Sequence, residues 1–271
     1  GLKAKEDLSF NSFRKAMNHA TAHAKSWALE GTSGALRGGT LAGSVDVAHP
    51  DLGLRDLKLN ECRLTAHLLR VQREVDDAND WPLSVAEAYI RGADLVASYQ
   101  PSKDWPYSPL IYWRANMLDS LDGLLGSLSL LVSVQTHLLD THPKIVVTSQ
   151  LAAKEVLHVT ANCGQSPKAD SIARDSTLHP ARGVGCLLRR LTDFPISYAE
   201  FMPASDFQSL RIQSDAAGNS IAQWTLFAEF LEKGVIRRAR LHSAFLNREN
   251  DLHLAAACCD AIERDSLPLT T

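Results

Sequence analysis

Apolar and polar residues alternate with period two along much of this chain, which is the signature of strands with one buried face. Leu69 and Val71 alternate with Arg70 and Gln72 inside Leu57–Val75, and Thr40–Val47 has the same β character. Leu95–Tyr99 and Leu110–Trp113 flank the proline-rich turn Pro101–Pro109, and Leu128–Leu138 and Lys144–Ser149 follow as strands. A second series runs through Gly185–Leu191, Ile196–Met202, Leu210–Ser214 and Ile221–Leu231, with Asp215–Asn219 as a hairpin turn. Helical spacing is confined to the two ends. Phe13, Ala16, Met17, Ala20 and Ala24 suggest a helix over Ser12–Lys25. Leu252, Ala255, Ala256, Cys259 and Ile262 form an amphipathic stripe that Asn247 can cap and Pro268 terminates. The five glycines of Gly31–Gly43 break any helix between the first of these and the strands.

The sharpest local expectation is a hairpin across Glu232-Lys-Gly234, with Gly234 in the left-handed region. That register sets Glu229 against Arg237, Leu226 against Arg240 and Trp224 against His242. Trp224, Leu226, Arg238, Arg240 and His242 then share one face, and Phe227, Leu231, Val235, Ala239 and Leu241 the other.

A partial echo organises the chain. Ser84-Val-Ala-Glu87 returns as Ser197-Tyr-Ala-Glu200, Asp94 has a counterpart in Asp206, Trp113 in Trp224, and Leu157-His158 in Leu252-His253. The echo predicts an internal duplication with insertions and deletions. The expected division is an N-terminal segment (1–47), a first β-rich half (48–165), a linker (166–182) rich in Pro, Ser, Asp and Gly, and a second β-rich half ending in the helix (183–271). With no alternating strand–helix rhythm, the fold class is mainly β, either all-β or α+β, with antiparallel sheets. The crevice between the halves is the default place for a ligand.

Composition narrows the function classes. The 271 residues carry a formal net charge of −3, so no global basic field favours nucleic acid or an anionic lipid surface. The longest apolar run, Leu124–Val134, is about 11 residues, against the roughly 20 that a membrane span requires. Five cysteines in irregular positions, two of them adjacent, suit a reducing compartment better than a disulfide framework. The expected location is the cytoplasm, although a chain beginning Gly-Leu-Lys leaves room for a removed secretion signal. No Cys-x-x-Cys supports structural zinc, and neither a metal nor a cofactor is expected.

Several motifs read most simply as structure. Gly31–Thr40 lacks the Gly-Lys-Ser/Thr ending of a phosphate loop and reads as a turn. His19 and His23 have no third ligand nearby, Ser12 and Lys15 lack the partner motifs of a serine–lysine enzyme, and Asp76, Asp77, Asn79 and Asp80 lack the closing Glu of a calcium loop. Three constellations carry more chemistry. The stripe Trp224, Arg238, Arg240 and His242 suits an anionic or carbohydrate ligand, through guanidinium forks, an imidazole and an aromatic plate. Its plain alternative is a positively charged edge that blocks sheet pairing. Trp105 and Trp113, with Tyr107 and Tyr112, could form a sugar platform or pack as a satellite core. The echoed acids Glu87/Glu200 and Asp94/Asp206, with His158 and His253, could supply an acid–base couple or serve as structural polar residues. Two functions follow: a module binding a small anionic or carbohydrate ligand, or a carbohydrate-active enzyme of epimerase or lyase type with a His/carboxylate site in a β-sandwich cleft.

Overall fold

The computed structural model describes residues 26–37, 39–60, 62–75, 78–115, 121–160, 166–180 and 184–264. The expected N-terminal helix, His19, His23, Ser12, Lys15, Asp76 and Asp77 lie outside the described residues, as do the side chains of Asn79 and Asp80.

Every strand pair is antiparallel. Strands β1 (Ser26–Glu30), β2 (Ser33–Arg37), β3 (Leu41–Asp46), β4 (Arg55–Leu59) and β5 (Cys62–Arg63) form a meander. A second sheet is built around the first half of the long β12 (Ile145–Thr160). There β6 (Ala66–Val75) and β7 (Ala78–Asp80) lie on one side of β12, and β18 (Asn219–Leu226), β17 (Ser209–Ser214) and β14 (Ser176–Leu178) on the other. The second half of β12 enters the largest sheet, between β13 (Lys168–Ser171) and β15 (Val184–Leu191). From β15 that sheet continues through β16 (Ile196–Pro203), β19 (Arg237–Asn247), β11 (Leu124–Thr136), β10 (Tyr107–Ala115) and β9 (Asp94–Tyr99) to β8 (Val85–Arg91) at its edge.

Burial follows the alternation. Tyr107, Pro109, Ile111, Trp113 and Ala115 point into the core from β10, and Ser220, Ala222, Trp224 and Leu226 are buried along β18. One hydrophobic core joins the inner face of the largest sheet to the other two sheets, making a β-sandwich. The two layers approach closely at Gly126, where an added Cβ would sit 2.8 Å from the Cβ of Leu41.

The outer face of the largest sheet is covered at one end by the C-terminal helix, α1 (Asp251–Arg264). Ala255, Cys258, Cys259 and Ile262 pack on Leu188, Phe201, Ala244 and Leu246. Asn247 caps the short 3-10 turn ahead of α1, its side chain accepting from the Glu249 amide. Asp251 anchors the first turn of α1, accepting two hydrogen bonds from Arg190, at 2.8 and 2.9 Å, and one from Ser197 at 2.7 Å.

The hairpin expectation is corrected. β18 and β19 do not pair: β18 lies between β12 and β17, and β19 between β16 and β11. The chain at 227–236 crosses from one layer of the sandwich to the other instead of folding back in one sheet. The local features that suggested a hairpin are present. Gly234 has φ of +78°, and Arg237 meets Glu229 at 3.2 Å. The segment at 166–182 is likewise more than a connection, since β13 and β14 add to two sheets. Strands from 48–165 and 183–271 interleave, with β11 against β19 and β12 against β15 and β18.

Candidate functional site

Period-two alternation on four neighbouring strands aims a set of polar side chains away from the sandwich core. The register aligns them in rows. Asp94 on β9 stands opposite Arg114 on β10, Arg114 opposite Ser129 on β11, and Ser129 opposite His242 on β19. The next row is Val96, Tyr112, Leu131 and Arg240, and the one after it ends Ser133 and Arg238. Their chain neighbours Leu95, Trp113, Leu130 and Leu241 are in the core, which assigns the rows to the outer face.

Arg114 grips Asp94 bidentately, Nε to Oδ1 at 2.6 Å and Nη2 to Oδ2 at 2.8 Å. Ser129 Oγ lies 2.7 Å from Nδ1 of His242. The imidazole is buried, and among the described residues its Nε2 has no hydrogen-bond partner. Burial, reinforced by the positive charges of Arg240 and Arg114, lowers its pKa to about 4, so the ring is neutral near pH 7. A neutral ring keeps one nitrogen as donor and the other as acceptor. Beyond the last β16–β19 pair the Arg240 amide donates to Oδ2 of Asp206 at 2.9 Å. Arg91 lies 5.7 Å from the ring centroid of Tyr112 at the far side of the rows.

Arg238, Arg240 and His242 are thus brought together, and Trp224 is separated from them. Trp224 is fully buried in the other layer, donating its indole N–H to Oε2 of Glu200 at 2.9 Å. Glu200 points inward, paired at 3.0 Å with the equally buried Arg189 and accepting from the Tyr198 hydroxyl at 3.1 Å. Neither aromatic candidate in the proline-rich region forms a surface platform. Trp113 is wholly internal, and Trp105 packs edge-on against Trp81 and Tyr107 with its N–H bonded to the Pro143 carbonyl.

The acid–base candidates do not converge. Glu87 is exposed on the edge strand β8, whereas His158 is half-buried on β12 opposite Asp170. Seven strand steps separate β8 from β12 across the sheet, on the order of 30 Å. Burial lowers the pKa of His158, with Asp170 opposing the shift. His253 is exposed in the first turn of α1, beside a shallow hollow lined by Arg190, Arg248 and Asp251. The site residues that sequence reasoning missed are Arg114 and Ser129. They join the stripe by register across strands over 100 residues apart in the chain, and no local motif marks that. Among the described residues no group of three or more His, Cys, Asp or Glu could hold a metal ion. Among them no helix is long and apolar enough to cross a membrane.

No family model matches the sequence, and no curated protein matches it. Solved structures do. A protein of Klebsiella pneumoniae subsp. pneumoniae, assigned provisionally as an aldose 1-epimerase, superposes with a TM-score of 0.53 at 9% identity, covering 90% of each chain. What is shared is the fold. An Escherichia coli K12 protein with the same provisional assignment gives 0.50 at 8% identity over 82% of this chain and 98% of its own. The α-N-acetylgalactosaminidase NagBb of Bifidobacterium bifidum, solved as a GalNAc complex, gives 0.50 at 10% identity over 90% of this chain and 38% of its own. The chain thus shares with these structures a mainly antiparallel β-sandwich fold.

Proposed function

We propose that the outer face of the largest sheet, around Arg238, Arg240 and His242, binds a sugar carrying a negative charge, such as a sugar phosphate or a uronate. The row Asp94–Arg114–Ser129–His242, flanked by Arg240 and Arg238, carries this reading. Guanidinium forks match a phosphate or carboxylate, while a carboxylate, a hydroxyl and a neutral imidazole match sugar hydroxyls. The Nε2 of His242, unpartnered among the described residues, supports it further, because a buried nitrogen without a partner costs about 1–3 kcal/mol that a ligand hydroxyl would recover. The fold shared with carbohydrate-active enzymes supports the sugar over other anions, as analogy only.

A second reading rests on the same imidazole. A neutral histidine beside arginines can take the proton of an anomeric hydroxyl, as interconversion of sugar anomers requires. Calorimetric titration with hexose 6-phosphates, hexuronates and neutral hexoses tests binding, and exchange NMR between the anomer signals tests turnover. Binding of the charged sugars with anomer exchange unaltered leaves the binding reading alone. Failure of every sugar to bind removes both.

A further inference from the structure

On the outer face of the largest sheet, the row that ends in Arg240 holds two tyrosines among aliphatic side chains. It runs Tyr89, Val96, Tyr112, Leu131 and Arg240 across β8, β9, β10, β11 and β19. Val96 is buried, whereas Tyr89, Tyr112, Leu131 and Arg240 are half-buried and reach the surface. Arg91, from the neighbouring row, places its guanidinium over the Tyr112 ring, 5.7 Å from the centroid. Such a contact restrains the ring and reduces the cost of ordering it against a ligand. Among the described residues, no other ring contact and no hydrogen bond engages Tyr112. Two strand spacings, about 10 Å, separate Tyr112 from Arg240, and Leu131 forms the floor between them. Arg238 lies about 7 Å to one side of this row, and Ser129 and His242 lie about 7 Å to the other.

We propose that the charged sugar bound here is the ribose of a nucleoside 5′-phosphate, with its base stacked on Tyr112 and its phosphate between Arg240 and Arg238. This choice of ligand rests on the charged-sugar reading and narrows it to one chemical class. An aromatic plate accepts any base, because every base has a π-face. A ribose over Leu131 sets the base on the β10 side and the 5′-phosphate on the β19 side, within the span from Tyr112 to Arg240. The ribose hydroxyls then face Ser129 and the Nε2 of His242, while guanidinium forks match the phosphate. A hexose phosphate would reach the same arginines and leave Tyr112 unused. Two nearby carboxylates are already engaged. Asp94 is held bidentately by Arg114, and Asp206 accepts from the Arg240 amide and, at 2.6 Å, from the Ser205 hydroxyl. Glu87 stands at the far edge of the sheet, on β8. A nucleic-acid strand would call for a longer track of bases, which a chain with a formal net charge of −3 does not lead one to expect.

Isothermal titration of the full chain with adenosine 5′-monophosphate, ribose 5-phosphate and a hexose 6-phosphate tests the proposal. The wild type binds the nucleotide at least about tenfold more tightly than ribose 5-phosphate, the difference being the stacked base. Tyr112→Leu brings the nucleotide to the level of ribose 5-phosphate and leaves ribose 5-phosphate itself unchanged. Tyr112→Phe keeps the plate and binds the nucleotide as the wild type does. If Tyr112→Leu loses folded structure, the wild-type comparison of the two ribose ligands still decides. Equal affinity for these two overturns the proposal and leaves the charged-sugar reading standing, as does nucleotide binding indifferent to Tyr112→Leu. A short oligoadenylate that binds more than about tenfold more tightly than the mononucleotide also overturns it, and assigns the face to a nucleic-acid strand. Failure of all three phosphates to bind removes both the nucleotide and the reading it rests on.

Discussion

Burial keeps the proton off His242, and stability should therefore depend on pH. Its folded pKa of about 4 lies below the roughly 6.5 of an unfolded histidine, so the unfolded chain binds the proton more tightly. The corresponding stability is complete above about pH 6.5 and is lost as pH falls towards 4, up to roughly 3 kcal/mol. Urea midpoints for the wild type should fall more steeply over that window than those for His242→Asn; parallel profiles would contradict the assignment. Glu200 offers a contrast on the inner face. Glu200→Ala would strand the buried Arg189 charge, at a cost of about 3–5 kcal/mol in urea unfolding. The paired Arg189→Met/Glu200→Leu change should cost clearly less. The alternation of Arg238, Arg240 and His242 on one strand was legible in the sequence, because period two needs no knowledge of neighbours. Their company was not: Trp224 was placed beside them by a hairpin register, while Ser129 and Arg114 arrive through pairings that only the folded sheet defines.

Strands and helix were legible to the extent that local pattern determines them. β10 and β18 alternate cleanly and were visible. The first turn of α1 held a tertiary feature that the apolar stripe does not report. Asp251 lies buried at the start of the helix and ties it to Arg190 and Ser197 on the sheet. Replacing it by Asn should cost about 1.5–3 kcal/mol, as charge-assisted hydrogen bonds are lost. Amide hydrogen exchange would show this as faster exchange along α1 than in β19; equal protection of α1 in both proteins would contradict the anchoring role. The segment at 227–236 was misread for a physical reason. Gly234 and the Glu229–Arg237 pair satisfy the local chemistry of a hairpin, yet Trp224 and Leu226 gain more by burial in the opposite layer. Burial of an aromatic and an aliphatic side chain outweighs a few turn preferences.

At the scale of the molecule, alternation and the absence of a strand–helix rhythm were enough for a mainly antiparallel β protein with a C-terminal helix. The sandwich itself, with β12 shared between two sheets and the strands of both parts of the chain interleaved, was beyond local pattern because it depends on long-range pairing. The same pairing builds the outer face proposed to hold a charged sugar. Isothermal titration with a hexose 6-phosphate tests the central claim most directly, comparing the wild type, the Arg238→Ala/Arg240→Ala variant and the core variant Glu200→Gln. The account predicts binding by the wild type, affinity at least about tenfold weaker in the double variant, and retained affinity in Glu200→Gln despite its lower unfolding midpoint. Equal affinity in wild type and double variant, or a loss confined to Glu200→Gln, would contradict it.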